Sequence, residues 1–157
     1  MRIEEVTGPR EAYLDLLKLA DEGEAAVRNY LHDGRLFVAR SGDEVLGAAL
    51  YAPVDGETVE LKNIALYEDA RGKGTGRALI EDGIARHTEM GFTRMIVGTA
   101  NSSIGNLAFY QKCGFRVCGI RRDFFLSYPE PIWENGIRAF DMVMFERGLH
   151  EAGHGEE

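Results

Sequence analysis

The sequence has 157 residues, 45% hydrophobic, 28% charged and 10% aromatic, with 19 glycines and 4 prolines. A chain of this length fits one domain and buries roughly 68–70% of its unfolded surface, so it needs neither disulfides nor metal to fold. The composition excludes collagen-like, disordered and coiled-coil architectures. A net charge of −8 argues against wholesale nucleic-acid binding. No apolar run approaches the ~20 residues of a membrane span. The opening stretch MRIEEVTGPREAYLDLL carries acids where a signal peptide carries a basic and then an apolar region. Cys113 and Cys118 are too few for a secreted disulfide framework. A soluble cytoplasmic protein is the expectation.

In chain order, Arg2 to Val6 alternates weakly and reads as a short strand, and Pro9 suits the first turn of a helix. Tyr13, Leu14, Leu16, Leu17 and Ala20 then follow helical spacing, interrupted at Gly23, and Ala26, Val27, Tyr30 and Leu31 resume it until Asp33-Gly34. The segments LFVAR and VLGAALYAPV, joined by Ser41-Gly42-Asp43-Glu44, predict an antiparallel pair, and TVELKNIALYE a third strand after Asp55-Gly56. A glycine-rich stretch from Arg71 to Gly76 leads into a helix over Ala78, Leu79, Ile80, Ile84 and Ala85, ending near Gly91. TRMIVGT predicts a buried strand, and Ile104, Leu107, Ala108 and Gln111 one face of a helix closed by Gly114. Two last strands, Phe115 to Leu126 and Ile137 to Phe145, flank a loop with Pro129 and Pro131. The expectation is a single α/β domain over residues 1–148 with a flexible tail over 149–157.

Charge is unevenly placed. Residues 1–60 hold 6 basic and 13 acidic side chains, residues 61–127 hold 10 and 6, and residues 128–157 hold 2 and 7. A basic middle in an acidic chain suits a phosphorylated ligand there, with acidic flanks near a cationic partner. The glycine-rich stretch lies in that basic segment. Gly72, Gly74 and Gly76 allow a turn uncrowded by side chains, and its amides open onto a helix N-terminus, where unpaired N–H groups and the dipole favour phosphate. Arg71, Lys73 and Arg77 add positive charge. The stretch is neither a Walker A loop nor a GxGxxG fingerprint: counted from Gly72 the last position is Arg77, and from Gly74 it is Leu79.

The stretch matches the [RQ]-x-x-G-x-[GA] pattern at Arg71, Gly74 and Gly76, and NLAFYQKCGF (Asn106 to Phe115) matches a second signature. Through these two motifs, in order and separated by a strand, the chain resembles the GNAT superfamily of N-acetyltransferases over nearly its whole length. The resemblance implies a mixed sheet of about seven strands, splayed between the two central ones, with helices on both faces. It implies acetyl-CoA as co-substrate, its pantetheine arm against the backbone of Ile64, Ala65 and Leu66 and its pyrophosphate on the amides of Arg71, Gly72, Lys73, Gly74, Thr75, Gly76 and Arg77. Tyr110 would lie near the thioester sulfur and protonate the departing thiolate. Many relatives carry Asn seven residues before that tyrosine; here it is Ser103, and Asn101 or Asn106 would supply the contact instead.

An amine must lose a proton before it attacks. Glu60 lies eleven residues before Arg71, the spacing at which similar histone-type proteins place a catalytic glutamate. Burial makes such a carboxylate a stronger base, and a water chain is the other route for the proton. A strand amide near Ala65 would stabilise the oxyanion. The resemblance implies direct transfer to a primary amine, with a small-molecule acceptor slightly favoured, no metal, no nucleic acid or membrane partner, and a possible homodimer. A non-catalytic acyl-CoA sensor on the same fold is the alternative, and Tyr110 and Glu60 discriminate the two.

Other features are given lesser roles. His150 to His154 spells HExxH, but Gly153 and Gly155 weaken the helix that motif needs. Cys113 and Cys118 read as buried inert thiols, and His87 as solvent-facing on its helix. The aromatics Phe124, Phe125, Tyr128 and Trp133, interspersed with Asp123, Glu130, Glu134 and Asp141, suggest an acidic acceptor pocket for a cationic amine.

Overall fold

The computed structural model describes residues 1–21 and 23–150. Among these residues, seven strands form one mixed sheet. They are β1 (Arg2–Glu5), β2 (Arg35–Ser41), β3 (Glu44–Pro53), β4 (Thr58–Leu66), β5 (Arg94–Ala100), β6 (Arg116–Arg121) and β9 (Met142–Gly148), in the order β1-β2-β3-β4-β5-β9-β6. A separate two-residue hairpin, β7 (Trp133–Glu134) with β8 (Ile137–Arg138), turns through the left-handed Asn135 and Gly136. The expected strands over 115–126 and 137–145 are therefore shorter: a 3-10 turn at Phe124–Ser127 ends the first, and the hairpin occupies the start of the second.

Strand alternation sends side chains to opposite faces, and each face carries its own core. Phe37, Ala39, Ala49, Tyr51, Val59 and Leu61 pack with α3 (Thr75–Glu89) and α4 (Ile104–Lys112) on one side. Leu36, Val38, Ala48, Leu50 and Ala65 pack on the other with α1 (Leu14–Leu17), which is flanked by 3-10 turns, and α2 (Glu24–Tyr30). Helices thus cover both faces, as the two helical periodicities on either side of the strands require. The approach of α3 is set by Gly83, where an added Cβ would stand 2.2 Å from the Tyr51 ring, whose hydroxyl donates to the Leu79 carbonyl at 2.9 Å. Beside them His87 is 2% exposed, not solvent-facing as expected. It stacks among Phe37, Tyr51 and Phe92, and its Nδ1 lies 2.7 Å from the Gly83 carbonyl.

Every pairing in the large sheet is antiparallel except β4 with β5. That parallel ladder joins Thr58–Leu61 to Arg94–Val97 and goes no further, although β4 stays on β3 to Leu66 and β5 stays on β9 to Ala100. The cause lies in β4 itself. Leu50 pairs with Asn63 and Tyr51 with Leu61, leaving Lys62 as a bulge, and a bulge bends and twists its strand. The two central strands part at that residue. The last strand runs past its expected end at Phe145: β9 reaches Gly148, and the buried Leu149 donates its N–H to the Thr93 carbonyl at 2.9 Å. Of the HExxH stretch only His150 lies within the described residues.

Candidate active site

The parting of β4 and β5 leaves backbone groups without a sheet partner. Tyr67 donates its N–H to the Leu46 carbonyl, and antiparallel partners exchange bonds at every second residue. Asn63 and Ala65 therefore aim their amides and carbonyls at β3, while Ile64 and Leu66 aim theirs into the gap. The Leu66 carbonyl is met there by the Arg71 Nε at 3.3 Å.

Beyond β4 a 3-10 turn at Glu68–Ala70 delivers the glycine-rich loop. Gly72 and Gly74 have φ values of 75° and 87°, left-handed backbone that a side chain would strain. Gly76 answers a different need, since a Cβ there would sit 3.2 Å from Phe109 on α4. The first helical bond of α3 runs from the Ala78 N–H to the Gly74 carbonyl, and no side chain among the described residues caps the helix. The amides of Thr75, Gly76 and Arg77 thus open outward with the positive end of the dipole behind them, beside exposed Arg71, Lys73 and Arg77.

A cleft of about 630 Å³ occupies the mouth of the gap, and Glu60, Lys62, Asn63, Ile64, Asn106 and Tyr110 all border it. A smaller hollow of about 300 Å³ near Glu4, Pro9 and Arg40 lies apart from all the sequence-predicted site residues. Tyr110, 5% exposed, projects from α4 among Phe109, Phe115 and Phe145. Its hydroxyl has no hydrogen-bond partner among the described residues, and burial pushes its proton affinity well above that of a free phenol. Glu60, with its side chain 16% exposed, lies 3.7 Å from the Lys62 ammonium.

Asn101 and Asn106 divide between two tasks. Asn101 donates to the Arg138 carbonyl and accepts from the Phe140 and Asp141 amides, so its side chain pins the segment before β9. Asn106 borders the cleft and donates to the Thr99 hydroxyl at 3.3 Å. Ser103, where many relatives have Asn, donates to Glu134 at 2.6 Å, and Ser102 does so at 3.1 Å.

The expected acidic acceptor pocket is built differently. Phe124, Phe125, Tyr128 and Glu134 border the cleft. Trp133 is 63% exposed outside it, and Asp141 accepts the Asp123 amide as a loop brace. Glu130 is likewise not on the cleft wall. Those roles failed because short loops and a tight hairpin, rather than two continuous strands, set the side-chain directions. Cys118 is exposed on the edge strand β6, contrary to expectation, while Cys113 is buried and its thiol is pushed up by that burial.

The sequence reading missed a polar chain on the opposite wall. Asn63 Nδ2 donates to the Leu17 carbonyl and to the Tyr30 hydroxyl, both at 2.9 Å; Tyr30 donates to Asp21 at 2.9 Å, and Tyr128 donates to the same carboxylate at 3.1 Å. Burial pushes the Tyr30 hydroxyl far above its ordinary titration range, so it stays a donor. Asn63 Oδ1 is buried with no hydrogen-bond partner among the described residues. The one available signal was Asn63 itself, a polar residue at an inward position of an otherwise apolar strand.

Residues 5–115 match the profile of the acetyltransferase (GNAT) family. The chain belongs to that family, and its fold is that of a GNAT N-acetyltransferase. Among its relatives, the uncharacterized N-acetyltransferase YvbK of Bacillus subtilis is 42% identical over 144 residues, covering 91% of this chain and 93% of that protein. A GNAT family acetyltransferase from Elizabethkingia anophelis, solved with acetyl-CoA bound, superposes with a TM-score of 0.89 at 41% identity, covering 94% of this chain and 97% of that one. A Bacillus subtilis acetyltransferase in complex with CoA gives 0.88 at 41% identity, over 95% and 99% of the two chains.

No group of three or more His, Cys, Asp or Glu among the described residues is placed to hold a metal ion. No helix among them is long and apolar enough to cross a membrane.

Proposed function

We propose that this N-acetyltransferase moves the acetyl group of acetyl-CoA directly to a primary amine, in a ternary complex with no covalent enzyme intermediate. The observation that carries the reading is the hydroxyl of the buried Tyr110, unpartnered among the described residues, bordering the same cleft as the carboxylate of Glu60. A phenol held protonated suits a thiolate that needs a proton, and a partly buried carboxylate suits an ammonium that must lose one. The pantetheine arm lies along the gap-facing backbone of Ile64 and Leu66, with Ala65 as their spacer, and the pyrophosphate lies on the loop from Arg71 to Arg77. The amide that meets the carbonyl oxygen is then that of Ile64 or Leu66, since Ala65 aims its own at β3. Asn106, rather than Asn101, contacts the cofactor from α4.

The acceptor enters over Phe124, Phe125 and Tyr128. A cleft of about 630 Å³ falls within the ~300–1,000 Å³ of small-molecule sites, which favours a small acceptor over an extended peptide. The test is a panel of amines with free-thiol detection, varying both substrates. Turnover with intersecting initial-rate lines supports direct transfer. Parallel lines, or tight CoA binding without turnover on any amine, would overturn it, the second outcome pointing to an acyl-CoA sensor.

A further inference from the structure

Lys62 occupies an unusual place. It is the bulged residue of β4, the first beyond the last β4–β5 pair at Leu61 and Val97, and it borders the cleft. Its ammonium lies 3.7 Å from Glu60 Oε1 and 5.5 Å from the centre of the Tyr30 ring. A carboxylate beside an aromatic face is a binding site for an alkylammonium. The ring is fixed in that role, since its hydroxyl is held between Asn63 and Asp21. The position an acceptor amine would take is therefore filled by the chain's own amine.

We propose that Lys62 is an intramolecular acetyl acceptor, so that the chain acetylates itself at this side chain when acetyl-CoA is bound. The inference rests on the reading of Glu60 as base and of the β4–β5 gap as the thioester site. Lys62 and Ile64 are two residues apart on one strand, at most about 6.6 Å along it, a distance within reach of an extended lysine side chain. The Lys62 ammonium gives one proton to Glu60, and its neutral Nζ adds to the thioester carbonyl carbon. The tetrahedral nitrogen loses a second proton to solvent as the C–S bond breaks. The thiolate takes a proton from Tyr110, which is restored by the one held on Glu60. Lysine ammonium and acetyl-CoA become N-acetyl-lysine, CoA thiol and one proton. The product is neutral, so it no longer pairs with Glu60 and clears the carboxylate for an external amine.

The purified full-length chain is incubated with acetyl-CoA and followed by intact mass and peptide mapping, beside a urea-unfolded control and the free-thiol assay with external amines. One acetyl group should appear at Lys62, faster than at Lys18, Lys73 or Lys112, with a rate constant independent of protein concentration. K62R should abolish that modification, and Y110F and E60Q should slow it at least tenfold. Acetylation at Lys62 equal in the unfolded control, or a rate constant rising with protein concentration, overturns the proposal. So does an unmodified Lys62 in a preparation that turns over an external amine, an outcome that leaves the transferase reading standing. If neither Lys62 nor any amine is acetylated, both fall together.

Discussion

Replacing Tyr110 with Phe separates a catalytic hydroxyl from a structural one. The hydroxyl has no partner to lose among the described residues, and the ring keeps its contacts with Phe109, Phe115 and Phe145, at centroid distances of 5.5, 6.1 and 5.9 Å. Stability should therefore stay within about 0.5 kcal/mol of the parent. The rate should not. A general acid contributes about 10²–10⁴-fold, or about 3–5 kcal/mol in the barrier, and the loss should fall in kcat at unchanged acetyl-CoA affinity. Tyr51 supplies the converse control. Its hydroxyl, on a ring that is 1% exposed, donates to the Leu79 carbonyl at 2.9 Å. Y51F should cost about 0.5–1.5 kcal/mol, a melting shift of roughly 2–4 °C per kcal/mol in a chain of this size, with little change in kcat. The assay is thiol release at saturating acetyl-CoA, paired with thermal unfolding. A Y110F protein that melts several degrees lower and keeps its kcat would refute the assignment.

Other perturbations follow from the same geometry. Gly83→Ala sets a Cβ 2.2 Å from the Tyr51 ring and should destabilise by about 1–3 kcal/mol through overpacking, read from denaturant unfolding. Gly74→Val, at a φ of 87°, should cost about 1–3 kcal/mol in strain and weaken CoA binding in calorimetry more than binding of a truncated analogue lacking the diphosphate. His87 has its proton affinity lowered from 6.5 by burial. The unfolded chain thus binds the extra proton, so stability is complete above about 6.5 and declines as pH falls below it. In urea titrations across that window H87Q should flatten the slope, and an unchanged slope would contradict the burial argument. Tyr30→Phe removes the donor to Asp21 and the acceptor for Asn63; it should raise acceptor KM and leave CoA affinity unchanged.

The glycine loop and the helix behind it were legible because chemistry and conformation demand the same residues there: left-handed glycines at 72 and 74 and a close-packed one at 76. The strands of the central sheet were legible from alternation, which maps onto two cores. The splay was implied by resemblance alone. Its physical origin, one extra residue at Lys62, cannot be read from alternation, because a bulge shifts register without changing composition. The acceptor wall was the least legible. It joins Asp21 and Tyr30 to Tyr128 across about a hundred positions, and such contacts depend on the packing of α2 over β4. The burial of His87 escaped for a related reason, since only the missing side chain at Gly83 lets Tyr51 reach its ring.

Acetyl transfer by Tyr110 and Glu60 turns on where the thioester sulfur comes to rest. A crystal structure of this chain with CoA measures that position directly. The sulfur should lie within about 2.6–3.2 Å of the Tyr110 hydroxyl, or one water away, with the pantetheine amides bonded to Ile64 and Leu66. A pantetheine arm lying outside the β4–β5 gap, with its sulfur beyond the reach of Tyr110, would contradict it.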